Sequence, residues 1–282
     1  MRHSLFVLRL ATIGCLIVLL ARPLLPDDER NSKIKSSTEG TDIVIALDVS
    51  TSMLARDFDP DRLEAAKRVA TNFVNGRPDD NIGLVVFAGE SMTALPLTND
   101  SEALSNYIAS VTTDMLEDGT AIGDGIGTAI NAITNGQAKS KSIILLTDGV
   151  NNTGLLTPRD AGLLAKENNI KVYTIGIGKK GMADFPAGVD QFGRKTYVKQ
   201  EVVIDEDILK DIARETQGKY FRATDGQVLE DIFSEIDQLE KTQLNIEYFT
   251  HTEDDPGFWP WLALGLFALE LILRYTVFRK NP

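Results

Sequence analysis

Six short apolar runs alternate with stretches of helical spacing along residues 42–241, and that alternation leaves few folds open. Asp42–Asp48 (DIVIALD) and residues 142–147 (SIILLT) lack the polar residue at every second position that a strand with one wet face would show, so both faces must be covered. Residues 82–87, 92–97, Lys171–Ile177 and Tyr220–Ala223 read as four more strands. Between them, Leu63, Ala66, Ala70, Phe73 and Val74 recur at helical spacing behind an Asp59-Pro60 start, and Asn99-Asp100 opens a helix through Leu104, Tyr107, Ile108 and Val111. Further helices run from about Ala121 (Ile126, Ala129, Ile130, Ile133), from Thr157-Pro158, from Asp205 and over residues 227–241. Repeated strand–helix units with buried strands predict an α/β fold, a doubly wound and mostly parallel sheet. Residues 178–204 form an insertion without helical periodicity, for which a hairpin is the candidate.

The ends differ in character. Residues 4–21 are apolar apart from Arg9, and 18 residues at about 1.5 Å each nearly span a bilayer core. They read as a transmembrane helix, with a cleaved signal peptide as the rival, and residues 22–40 as a polar linker to a domain at 41–243. Residues 258–278 are a second transmembrane candidate, flanked by Trp259, Trp261 and Tyr275, although Glu270 interrupts them. The rival there is an amphipathic helix packed on the domain. Arg2, His3 and Arg9 near the first segment, and Arg274, Arg279 and Lys280 around the end of the second, put both termini in the cytoplasm and the domain in the periplasm.

Composition closes several routes. Asp plus Glu number 41 against 29 Lys plus Arg, a net charge of -12, which argues against a nucleic-acid partner because phosphate contacts need clustered cations. Cys15, the only cysteine, lies in an apolar run, and the two histidines, His3 and His251, lie near the chain ends. Ser-His-Asp and Cys-His catalysis and zinc chemistry therefore lack their residues.

In open α/β sheets ligands bind beyond the carboxyl ends of strands, at the point where strand order reverses. Asp48-Val49-Ser50-Thr51-Ser52 follows the first strand and Asp148-Gly149 the fourth, and the doubly wound order sets those strands side by side. Gly119-Thr120 enters the helix before strand four, with Gly123, Gly125 and Gly127 allowing close backbone approach. Asp48, Ser50, Ser52, Thr120 and Asp148 offer two carboxylates and three hydroxyls, an all-oxygen set that suits Mg²⁺, or Mn²⁺ or Ca²⁺. Positions 48, 50 and 52 point the same way if that turn stays extended. Each piece has a plainer reading: Asp48 and Ser50 as a helix cap, Thr147-Asp148-Gly149 as a turn. Their joint placement at adjacent strand ends is what singles them out.

The Asp-x-Ser-x-Ser set, Thr120 and Thr147-Asp148-Gly149 resemble the metal-ion-dependent adhesion site of von Willebrand factor A (VWA) domains, with all five positions present. In that family the serines and threonine coordinate the ion, the aspartates act directly or through water, and a partner's Glu or Asp completes the shell. The resemblance thus implies a binding protein, not an enzyme. Arg62-Leu63-Glu64-Ala65-Ala66-Lys67, GLVVFAG (residues 83–89), DGTAIGD (118–124) and Tyr220-Phe221-Arg222-Ala223-Thr224 further resemble the bacterial aerotolerance-operon BatA/BatB family. Those are inner-membrane proteins encoded beside MoxR-type AAA+ ATPases, and they usually carry a further membrane helix ahead of the segment that starts here. The resemblance implies a protein partner presenting an acidic residue, other Bat-type VWA proteins, a MoxR-type ATPase and a role in assembly or stress tolerance. The partner would meet loops at the same sheet edge: Met53 and Leu54, residues 90–92 and residues 150–155. Two other functions stay open: a metal-independent scaffold, and a haloacid-dehalogenase-type phosphatase with Asp48 as nucleophile, although such enzymes carry a second Asp where Ser50 stands.

Overall fold

The computed structural model describes residues 40–189, 195–250 and 259–276, together with Leu10, Ile13 and Gly14. The chain divides into a unit of residues 37–246 and a second unit made from 1–36 and 247–282.

Along residues 40–250 the elements run β1 (Asp42–Asp48), α1 (Arg62–Asn75), β2 (Asn81–Phe87), β3 (Ser91–Thr98), α2 (Ser101–Ser110), α3 (Ile122–Thr134), β4 (Lys141–Thr147), α4 (Pro158–Glu167), β5 (Lys171–Ile177), β6 (Met182–Val189), β7 (Lys195–Glu201), α5 (Glu206–Glu215), β8 (Tyr220–Ala223) and α6 (Gly226–Thr250), the last running past the end of the larger unit. Six strands form one sheet in the order β3-β2-β1-β4-β5-β8. All neighbours pair in parallel except β3, which runs antiparallel to β2 at the edge. The order reverses between β1 and β4, as the doubly wound reading requires. The insertion is a hairpin, with β6 and β7 pairing antiparallel in a sheet of their own.

Burial explains the apolar runs. Ile43, Ile45 and Leu47 of β1 join a core with Leu63, Val69 and Phe73 of α1, Leu104 and Ile108 of α2, and Leu229, Ile232, Phe233 and Ile236 of α6. Val44 and Ala46, the intervening residues, join a second core with Ile122, Ile126, Ala129 and Ile133 of α3, Ala161 and Ala165 of α4, and Leu209 and Ile212 of α5. Successive side chains of a strand face opposite sides, so two helix layers demand an unbroken apolar run.

Helix starts are set by capping carboxylates and hydroxyls. Asp100, Thr157 and Asp205 accept from Ala103, Asp160 and Ile208 N–H groups, as the sequence suggests. The start of α1 differs from the Asp59-Pro60 expectation: Asp61 is the cap, its Oδ1 accepting from Glu64 N–H at 2.9 Å.

The expected transmembrane span at 258–278 needs correcting. The helix there, α7, covers Trp259–Thr276, 18 residues that include Glu270 and Arg274. Among the described residues no helix is long and apolar enough to cross a membrane. Apart from Leu10, Ile13 and Gly14, the expected span at 4–21 lies outside the described residues, as does the 22–40 linker apart from Gly40.

Gly123 shows how tightly α3 meets the loop after β4. A Cβ there would lie 2.0 Å from the Leu156 carbonyl oxygen, so any side chain forces the backbones apart. Gly162 of α4 has room, its added Cβ meeting Ile212 at 3.6 Å. Gly123→Ala should therefore lower the denaturant midpoint, by about 1–3 kcal/mol of stability. Gly162→Ala should leave it unchanged or raise it by up to about 1 kcal/mol through helix propensity. Equal effects in urea unfolding would contradict this packing.

Candidate functional site

The carboxyl ends of β1 and β4 deliver the two expected aspartates to one place. Pairing holds β1 and β4 in register through Leu47 and Leu146, so Thr147 comes level with Asp48 and Asp148 follows one residue beyond it. Both are buried, at 0% and 2% exposure. Asp48 Oδ1 accepts from Ser50 N–H at 2.9 Å, and its Oδ2 accepts from the Thr147 hydroxyl at 2.6 Å. After Ser50, which is extended, the chain does not stay extended: residues 51–54 form a 3₁₀ turn. That turn, not strand-like alternation, carries Ser52 round to the site. Its Oγ lies 3.0 Å from Ser50 Oγ and donates to Asp148 Oδ1 at 2.7 Å.

Thr120 arrives from the loop before α3. Its N–H donates to Asn152 Oδ1 at 2.9 Å, Asn152 N–H returns a bond to its carbonyl at 3.1 Å, and Ile122 N–H donates to Asn151 Oδ1 at 2.9 Å. The Thr120 side chain lies against Gly149, where an added Cβ would sit 3.1 Å from Thr120 Oγ1. Close approach of this loop requires Gly119, which has φ +139° and would clash with the Gly89 Cα at 2.9 Å if it bore a Cβ. All five expected residues thus converge, through different elements.

Several neighbours escaped the sequence reading. Arg62 opens α1 with its side chain 1% exposed, gripping both Asp57 oxygens through Nε and Nη2 at 2.7 Å and donating to Asp148 Oδ2 through Nη1. A signal existed: residues 62, 66, 69 and 73 lie on one helical stripe, all four are buried, and a lone arginine in an apolar stripe needs an internal partner. Asp118 accepts from Thr51 N–H at 3.0 Å and Thr51 Oγ1 at 2.8 Å, fastening the 3₁₀ turn from across the site. Of the expected contact loops, Met53 is fully buried and cannot meet a partner, because the turn folds it into the core. Leu155 is fully exposed and Met92 and Val150 are partly so, beside a groove of about 630 Å³ lined in part by Glu90, Ser91, Asp124 and Thr128.

Charge is confined unfavourably here. Burial pushes the Asp48 carboxyl up to about 7, and the neighbouring Asp148 adds to the rise. Burial also raises Asp148, against the pull of Arg62 and the Ser52 hydroxyl. Asp57 goes the other way: burial opposes its charge, but the Arg62 fork and Lys179 N–H outweigh it and hold its carboxyl below the usual range. Two buried, mutually repelling carboxylates beside three hydroxyl-bearing residues fit a hard divalent cation, which would relieve the repulsion and accept every donor type present. Among the described residues no group of three or more His, Cys, Asp or Glu could hold a metal, so such a site draws on the hydroxyls.

The sign of the pH effect follows. A carboxyl raised from 3.8 to about 7 on folding contributes stability that is fully present below pH 3.8 and is lost as pH rises through 7. In chelator, Asp48→Asn should melt like the native chain near pH 4. Near pH 8 it should melt higher by about 5–10 °C, the equivalent of a few kcal/mol. Calorimetric melts of both proteins across that range check this, and a pH-independent difference would contradict it.

The von Willebrand factor type A domain family matches residues 42–235. An uncharacterized protein of Borreliella burgdorferi is 31% identical over 244 residues, covering 86% of this chain and 69% of its own. The crystal structure of the conserved hypothetical protein BatB from Bacteroides thetaiotaomicron superposes with a TM-score of 0.62 at 32% identity, covering 72% of this chain and 100% of its own. An aerotolerance-related membrane protein from Bacteroides fragilis does so with a TM-score of 0.61 at 31% identity, covering 71% and 98%. The chain belongs to the von Willebrand factor type A domain family and is similar, within it, to the bacterial aerotolerance-related BatB-type proteins.

Proposed function

We propose that this domain binds a protein partner through one divalent cation, Mg²⁺ or Mn²⁺, held by Asp48, Ser50, Ser52, Thr120 and Asp148. The observation that carries the reading is that Ser52 Oγ lies 3.0 Å from Ser50 Oγ and 2.7 Å from Asp148 Oδ1, beside the buried Asp48 at the carboxyl edge of the sheet. When bound, the cation supplies a positive centre with a coordination position left for an outside carboxylate. The chain's residues do the rest. Asp48 and Asp148 neutralise charge, the 3₁₀ turn presents Ser52, and the Asn151–Asn152 loop holds Thr120 in reach. Leu155, Val150 and Met92 provide apolar contact around the acidic residue, since a single carboxylate is a small interface.

Asp48 is a poor nucleophile for the phosphatase alternative. It is fully buried, and both its oxygens already accept hydrogen bonds. The metal-independent scaffold is separated from the binding reading by chelation.

We further infer that the domain works at the inner membrane on the periplasmic side, with an acidic surface of another Bat-type VWA protein as partner and a MoxR-type ATPase in the same system. Exposed Leu262, Leu264, Phe267 and Leu269 on α7 support membrane association, as does the membrane description of the Bacteroides fragilis neighbour. An alkaline phosphatase fusion after Gly226 should be active; an inactive fusion with a positive cytoplasmic reporter would reverse the side.

Thr120→Ala should weaken partner capture in crosslinking pull-downs without lowering the melting temperature, because its hydroxyl serves the bound cation and not the core. Chelator should cause the same loss in the native chain and add nothing to the variant. Capture that survives both treatments would remove the cation from the interface.

A further inference from the structure

The two oxygens of Asp148 are treated unequally. Oδ1 accepts from Ser52 Oγ at 2.7 Å and faces the hydroxyl cluster. Oδ2 is turned the other way, onto the Nη1 of Arg62. The guanidinium that holds it has no freedom to follow the carboxylate. Its Nε and Nη2 fork onto both oxygens of Asp57 at 2.7 Å, and the Phe185 ring of β6 lies 5.2 Å from its central carbon. Gly178 closes over it, since a Cβ there would sit 3.0 Å from Nη2. Asp57 is pinned in turn by Lys179 N–H at 2.9 Å. A bidentate arginine–carboxylate fork is directional as well as strong, so this assembly fixes where the third donor points.

We propose that Arg62 is a positioning residue that sets which cation the site accepts; this rests on the cation-binding reading above. With Oδ2 held, Asp148 offers a single oxygen toward Ser52 and Ser50. Asp48 is restrained similarly, one oxygen on Ser50 N–H and the other on the Thr147 hydroxyl. Neither aspartate is set to turn both oxygens onto one ion. Ca²⁺ takes six to eight oxygens, commonly including bidentate carboxylates, whereas Mg²⁺ and Mn²⁺ take six single oxygens in an octahedron. The restraint therefore favours the smaller ions. Arg62 acts through Asp148, to which it is bonded, and offers no oxygen to the ion itself.

The test is a calorimetric titration of the full chain with Mn²⁺ and, separately, with Ca²⁺, comparing the ratio of the two dissociation constants. The variant pair Arg62→Met with Asp57→Asn removes one charge of each sign, so the local net charge is unchanged and Asp57 is not left as a buried charge without its partner; Asp148 alone loses its arginine, which is what frees it. Freed Asp148 can then rotate, and the preference for Mn²⁺ over Ca²⁺ should fall about tenfold. Arg62→Lys, which keeps the charge but loses the fork, should lower the ratio in the same direction. It decides the matter alone if the paired variant fails to fold. A ratio that stays within about twofold of native in the folded variants overturns the role of Arg62 and leaves the cation site standing. A native chain that binds neither ion overturns the cation reading and this proposal together.

Discussion

Parallel pairing of β1 with β4 is the constraint on which the site depends. The two strands run in register from Asp42 to Leu47, and each is buried on both faces by apolar helix layers, with residues 43–47 and 143–146 wholly apolar. Polar groups can therefore appear only where the strands end. They end together, and the consequence is a pair of buried carboxylates close enough to repel each other. Nothing in the strands themselves neutralises that pair. The charge has to be met by groups delivered from elsewhere in the chain.

Those groups come from three directions. The 3₁₀ turn after β1 supplies Ser52, the loop before α3 supplies Thr120, and the start of α1 supplies Arg62. Each is fixed by a separate anchor: Asp118 on the turn, Asn151 and Asn152 on the threonine loop, Asp57 on the arginine. Asp57 also bonds the root of the β6–β7 hairpin, and Arg56 N–H donates to the Asp184 carbonyl within it at 3.0 Å. The hairpin is thus joined to the same network that restrains Asp148, although it contributes no oxygen to the candidate ligand set.

Most of the fold is legible in the sequence, for a definite reason. Continuous apolar runs identify doubly covered strands, helical spacing identifies what covers them, and repeated strand–helix units imply a doubly wound, mostly parallel sheet. The five oxygen-bearing residues were legible because their types and strand-end positions are unusual together. Less was legible where geometry depends on a local turn. The extended path expected through Ser50 and Ser52 is a 3₁₀ turn, and Met53, expected at the surface, is buried by it. Asp61 caps α1 where Asp59-Pro60 was expected, since nearby capping residues compete on backbone geometry that composition does not record.

The sequence by itself determined the class of fold, the adjacency of the first and fourth strands and the chemical character of the site, because periodicity and residue type carry those directly. Only the tertiary structure decided that Arg62, 86 residues from Asp148, is the buried counter-charge of that carboxylate, and that Asp118, 67 residues from Thr51, fastens the turn. Such pairings depend on which loops the closed sheet brings together. Hydrogen bonds and ion pairs act over about 3 Å, and no local pattern encodes a contact made across so much intervening chain.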